Sequence, residues 1–181
     1  ARRPAGVLGV LGLLFAGLGW VDALREAIRT LWHQNVTAGN IVVKKLPCRV
    51  QKIDKITDDV AVLHLSLPAN ERLQFLPGQY IEFILKDGTR KSFSMANPPH
   101  DDASIQVHVR HVPGGKFTDH VFNTMKEREI MRFEGPLGSF FLRDDSEKPV
   151  VFVASGTGFA PIKAVLEAAF QKNIQREMVL Y

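Results

Sequence analysis

The sequence holds a single cysteine, Cys48, among 181 residues. That scarcity excludes a disulfide framework, a zinc site built from several thiolates, and an iron–sulfur cluster, which needs about four cysteine ligands. A lone cysteine among apolar neighbours reads as an inert buried thiol. Internal repeats and low-complexity stretches are also missing, and a composition of 45% hydrophobic and 23% charged residues is that of an ordinary globular chain. Most of the chain lacks an excess of charge of either sign. Residues 1–50 carry seven Lys/Arg against two Asp/Glu, and residues 51–181 carry sixteen against seventeen, so the net +4 sits at the start. A near-neutral body argues against a nucleic-acid partner. The histidines at 64, 100, 108, 111 and 120 form no metal-ligand spacing, so no metal site is expected.

The basic excess flanks the one long apolar run, Ala5 to Val21. Its length is at the lower edge of the ~17–25 residues that cross a bilayer. From Asp22 to Asn35, Leu24, Ile28, Leu31 and Trp32 share a helical face opposite Arg25, Arg29 and His33. The expectation is a helical N-terminal segment, with membrane attachment through residues 5–21 and an interfacial helix after it. Five glycines weaken that run and the chain begins at Ala, so a fragment or non-native leader stays open as the alternative.

From Leu46 the texture changes to short strands between turns. Val60–Leu67, Gln79–Leu85, Ser104–Arg110 and Ile130–Phe133 read as strands, punctuated by Pro77-Gly78, Asp87-Gly88, Asn97-Pro98-Pro99 and Pro113-Gly114-Gly115. This spacing predicts a small antiparallel barrel or sandwich. One helix interrupts it, with Phe117, Val121, Phe122 and Met125 on one face. Glycines ahead of a helix N-terminus expose backbone N–H groups at a positive dipole end, and Lys91 offers a cation that could meet the same pyrophosphate. Phe93 offers a ring for a flat heterocycle, and Ser94 a hydroxyl for its edge.

A third pattern begins at Val150–Ala154, a continuous apolar run suited to a buried parallel strand. Ser155-Gly156-Thr157-Gly158-Phe159-Ala160 makes the turn, and Pro161 opens a helix whose face is Ile162, Val165, Leu166, Ala169 and Phe170. Met178–Tyr181 reads as a second strand. This strand–turn–helix–strand unit places glycines where doubly wound sheets bind dinucleotide phosphates, although G-x-G-x-x-P departs from the three-glycine fingerprint. Two strands do not cover both faces of a parallel sheet, so the unit reads as the start of a truncated α/β nucleotide-binding domain.

Taken in order, Lys91-Ser92-Phe93-Ser94, Gly114–Thr118, Glu134-Gly135-Pro136-Leu137-Gly138 and Gly156–Pro161 resemble the ferredoxin–NADP reductase superfamily. Lys45–Val50, Leu76–Tyr80 and Ser94–Asn97 are similar to the branch holding CDP-6-deoxy-glucoseen reductases and the reductase components of aromatic-ring oxygenases. The resemblance implies a Greek-key flavin-binding β-barrel over 46–146, an incomplete NAD(P)-binding domain over 147–181, and an N-terminal segment with linker over 1–45. It implies FAD as cofactor and NADH or NADPH as substrate. Phe93 would lie against the flavin ring and Ser94 near its N5. Lys91, with the backbone of Gly115, Lys116, Phe117 and Thr118, would hold the pyrophosphate, and Ser92 is a further cofactor-binding residue. Val109 and Arg110 would line the groove, and Thr157 would approach the flavin between Gly156 and Gly158. Ser94 and Thr157 are thus the residues expected nearest the hydride.

The family's motif has Arg where this chain has Lys91 and Tyr where it has Phe93, which predicts a softer hold on flavin. The resemblance implies a ferredoxin domain upstream; with one cysteine in these 181 residues, the expectation is no iron–sulfur cluster in this chain. The expectation is therefore a cytoplasmic FAD-dependent NAD(P)H oxidoreductase, held or not at the membrane face. It would pass electrons to a separate acceptor: a ferredoxin-like protein, an oxygenase, a sugar-nucleotide dehydrase or a small molecule. A flavin-binding module without activity, a free-flavin reductase and a plain interaction barrel are the alternatives.

Overall fold

The computed structural model describes residues 41–143 and 145–181. The expected anchor at 5–21 and the helix after it lie outside the described residues; among those described, no helix is long and apolar enough to cross a membrane.

Strands β1 (Lys44–Lys55), β2 (Val60–Ser66), β3 (Tyr80–Ile84), β4 (Arg90–Ser94), β5 (Ile105–Arg110) and β6 (Ile130–Leu137) form one antiparallel sheet in the order β4-β3-β6-β1-β2-β5. Alternation decides what each strand buries. Leu46, Cys48 and Val50 of β1, Ala61, Leu63 and Leu65 of β2, Ile81 and Phe83 of β3, Val107 and Val109 of β5 and Phe133 of β6 all turn to one side and close the core.

Two strands escape the sequence pattern. β1 carries a proline at 47, and it pairs with β6 over Lys44–Arg49 and with β2 only from Arg49 onward. No strand therefore stands on the β2 side of Pro47 to need the missing N–H. β4 reads as a charged surface because Arg90, Lys91 and Ser92 are exposed, but it is an edge strand paired only with β3.

The expected closed barrel is instead a six-stranded sheet whose two edges meet at a single bridge, Met95 to Val107. Beyond that point the chain is pulled into a turn by buried Asn97. Its side-chain amide donates to Asp101 O (2.7 Å) and Ser104 O (2.8 Å) and its carbonyl accepts from Gln106 N (2.8 Å). The remainder of the β4 edge stays unpaired. Helix α1 (Lys116–Asn123) follows β5 and inserts Phe117 and Val121 into the core.

The last segment holds β7 (Val150–Phe152), a 3₁₀ turn at Gly156–Gly158, helix α2 (Phe159–Gln171) and β8 (Met178–Leu180), with β7 and β8 parallel. The helix begins two residues before Pro161. Its packing face is Ile162 and Val165 against Phe152, with Ala160, Ala164, Ala168 and Ala169 also buried. Phe170, expected on that face, is 75% exposed. Eight residues at 100° each carry it about 80° around from Ile162, to the margin of the buried stripe.

Candidate functional site

β4 sorts its side chains by face. Lys91 and Phe93 stand opposite Phe83 and Ile81 of β3, on the side of the core, while Arg90, Ser92 and Ser94 stand opposite Ile84, Glu82 and Tyr80. Arg90 ion-pairs with Glu82 and with Glu134, and Ser92 Oγ donates to Glu82 (3.2 Å). Glu134 and Glu82 hold the Arg90 guanidinium firmly charged, and Arg90 in turn holds the Glu134 carboxyl below the usual range. Arg90 therefore does not stand in for Lys91. Lys91 has no ion pair or hydrogen bond among the described residues.

Phe93 is half-buried in a three-ring cluster: 5.1 Å from Phe117 and 5.8 Å from Phe83, with Phe83 and Phe117 themselves 5.0 Å apart at 24°. The cluster fixes the ring and leaves part of it accessible. It also joins β4 to the first turn of α1, so Lys91, Phe93 and the helix N-terminus belong to one place. Ser94, at the end of β4, is half-buried. Its side chain leaves the strand on the face away from Phe93, so any contact with the same heterocycle comes at the ring's edge.

The glycine turn is more closely determined than its sequence suggests. Gly114 has φ +79°. Gly115 N donates to Val112 O (2.9 Å), and a β-carbon on Gly115 would stand 2.7 Å from Thr118 Oγ1 and 2.9 Å from Val112 O. Thr118 Oγ1 donates to Val112 O (2.9 Å) and accepts from Val112 N (3.1 Å). The first helical bond of α1 is Asp119 N to Gly115 O (2.8 Å), and no side chain caps the helix. The backbone N–H groups of Lys116, Phe117 and Thr118 are thus the ones an anion can take, while that of Gly115 is occupied. The side chains of these residues do other things. Phe117 is core, the Thr118 hydroxyl braces the turn, and Lys116 Nζ pairs with Asp87 (2.7 Å), which holds the Asp87 carboxyl far below its ordinary range.

Val109 and Arg110, expected along the groove, end β5 on opposite faces. The Val109 side chain is fully buried in the core, because it shares the inward parity of Val107. Arg110 is exposed, with Nε 3.1 Å from Asp59 Oδ2. The Thr57 hydroxyl and Arg110 together hold the Asp59 carboxyl below its usual range. Arg110 Nη1 lies 3.8 Å from the position of a β-carbon on Gly156, so it reaches the second glycine turn.

That second turn packs against β5. Gly156 has φ +55°, and Gly158 N donates to Ser155 O (3.1 Å), leaving Thr157 half-buried at the crest. A tie that no sequence motif announces holds the helix behind it: Lys163 Nζ donates to Ala96 O (3.1 Å) while pairing with Glu167. Ala96 lies two residues past Ser94, so α2 is anchored beside the end of β4. Burial, then the charge of Lys163, lowers the pKa of the adjacent His108. Cys48 is buried, and burial pushes its thiol up to about 12.

The arrangement fits a flavin dinucleotide: a fixed ring, an unpaired cation and uncapped amides at one edge of the sheet, with the Gly156–Gly158 turn packed against β5. Comparisons with known proteins agree. Residues 47–142, more than half of the chain, match the family described as oxidoreductase FAD-binding domain. The chain is 44% identical over 142 residues to the CDP-6-deoxy-L-threo-D-glycero-4-hexulose-3-dehydrase reductase of Yersinia pestis, covering 78% of this chain and 43% of the relative. It is 42% identical over 137 residues to reductase component 1 of a Comamonas terephthalate 1,2-dioxygenase, covering 76% and 40%. The crystal structure of the Amycolatopsis cytochrome P450 reductase GcoB superposes with a TM-score of 0.71 at 33% identity, covering 77% of this chain and 43% of that one. The chain spans less than half the length of these relatives. It belongs to the family of oxidoreductase FAD-binding domains.

Proposed function

We propose that this chain is the flavin-carrying part of an NAD(P)H oxidoreductase that passes electrons to a separate acceptor. Bound FAD supplies the chemistry, accepting a hydride and releasing electrons onward one or two at a time. The chain's own residues bind, orient and admit. Lys91 and the 116–118 amides take the pyrophosphate, Phe93 supports the ring, and Ser94 lies at its edge. The Gly156–Thr157–Gly158 turn lets a pyridine nucleotide approach. In this reading the sheet is the Greek-key flavin domain, over 46–146, and 147–181 opens the nucleotide domain. The observation that carries the reading is the meeting of an unpaired Lys91, a fixed Phe93 and an uncapped α1 on one edge, beside a helix tied to Ala96.

The names of the relatives point to the acceptor class: an oxygenase component, or a dehydrase acting on a sugar nucleotide. A cytoplasmic setting, where pyridine nucleotides are available, suits either. A free-flavin reductase is the second reading, favoured by the ammonium at Lys91 and the missing hydroxyl at Phe93, both of which loosen the hold. The test is a visible spectrum of the purified full chain before and after dialysis, then anaerobic addition of NADH and of NADPH. Retained flavin that bleaches supports the proposal, and flavin lost on dialysis but turned over when added supports the second reading. A chain that binds no flavin under any condition refutes both.

A further inference from the structure

We propose that His111 and Asp119 are positioning residues for the phosphate-facing turn, and that they make the site prefer a flavin with a diphosphate over one without. The inference rests on the flavin reading above. The turn at Pro113–Gly115 contains a glycine at φ +79° and leads into a helix whose N-cap residue, Gly115, has no side chain to cap it. Left alone, such a turn is free to move. Asp119 restrains it from inside the helix. Its Oδ2 accepts from Gly114 N (3.0 Å), and its Oδ1 lies 2.8 Å from His111 Nε2. His111 is itself held on two sides: its ring stacks on Phe122 (4.8 Å, 21°) and its backbone N donates to Asp59 O (2.7 Å).

The chain leaving β5 is thereby stapled to the turn it is about to make, through His111, Asp119 and Gly114 in sequence. The consequence is a division among the amides. Those of Gly114 and Gly115 are occupied within the turn, and those of Lys116, Phe117 and Thr118 are presented together. Preorganised donors bind an anion without first being ordered. Asp119 also brings a negative charge close to where a diphosphate would rest, which opposes binding. The imidazole N–H of His111 directed at Oδ1 offsets that charge. The brace and the charge act in opposite directions, so variants separate them.

The full chain is titrated with FAD and with riboflavin, which has the ring but no phosphate, following flavin fluorescence. Asp119→Ala removes the brace: FAD affinity falls at least five-fold and riboflavin affinity stays within two-fold. Asp119→Asn keeps an acceptor for Gly114 N–H and drops the charge: FAD binds as in the wild type or more tightly. His111→Phe keeps the stack on Phe122 and loses the donor: FAD weakens at least three-fold with riboflavin unchanged. Equal loss of both ligands in Asp119→Ala, or no loss of either, overturns the proposal. Should Asp119→Ala fail to fold by circular dichroism, His111→Phe decides in the same way. A wild-type chain that binds neither ligand refutes the flavin reading itself, whereas one that binds both equally refutes only the positioning role.

Discussion

Replacing Lys91 by methionine removes the one cation of β4 that has no partner. An ammonium about 4 Å from a phosphate oxygen contributes about 1 kcal/mol in bulk water and about 4 kcal/mol near a protein surface. Lys91 is solvent-exposed, so the lower part of that range applies, about 1–2 kcal/mol, or roughly a 5–30-fold loss of FAD affinity. Riboflavin affinity is expected to hold, since Phe93 is untouched. Lys91→Arg is expected to tighten FAD several-fold by presenting a fork to the diphosphate. The control is its neighbour. Arg90→Met removes a stronger cation by one residue, yet Arg90 faces away and is neutralised by Glu82 and Glu134. FAD affinity should therefore change less than two-fold, while the melting temperature drops. The assay is a fluorescence titration at two salt concentrations, because the Lys91 contribution is screened and Phe93 stacking is not. Wild-type affinity in Lys91→Met, or a larger loss in Arg90→Met, refutes the assignment of faces.

Gly115→Ala forces a β-carbon against Thr118 Oγ1 and Val112 O, so the turn must move. Apo stability is expected to fall by about 1–3 kcal/mol and FAD binding to fail, by thermal melting and titration. Cys48 is expected to resist thiol reagents in the native state at pH 8 and to react on unfolding, because its folded pKa is raised from 9.0 to about 12. The neutral thiol is the form folding favours, so its contribution is complete below pH 9 and declines as pH rises from 9 to 12. Cys48→Ala should flatten that part of the stability profile. Lys163→Met breaks the tie to Ala96 O, worth about 1 kcal/mol for one side-chain hydrogen bond. Hydrogen exchange in α2 should quicken by roughly five-fold, with flavin affinity unchanged.

What the sequence revealed was what local pattern encodes. β2 and β5 alternate cleanly, so Ala61, Leu63, Val107 and Val109 announce a buried face. β1 is not among the strands read from the sequence, and only the handover from β6 to β2 makes its Pro47 acceptable. Lys91, Phe93 and the glycine turn stand out as residue types. That Arg90 and Lys91 face opposite ways follows from strand alternation once β4 is known to be a strand. The brace through His111 and Asp119 and the anchor from Lys163 to Ala96 join residues 8 and 67 positions apart. No periodicity marks such pairs, since their meeting is decided by how the sheet edges come together.

The cluster behind β7 consists of Phe152, Ile162 and Val165 with a few half-covered neighbours, against seventeen buried residues in the main core. Burial on that scale gives little margin against heat. Within this chain the order of β7, α2 and β8 therefore leans on the tie from Lys163 to Ala96 O and on the packing of the second glycine turn against β5.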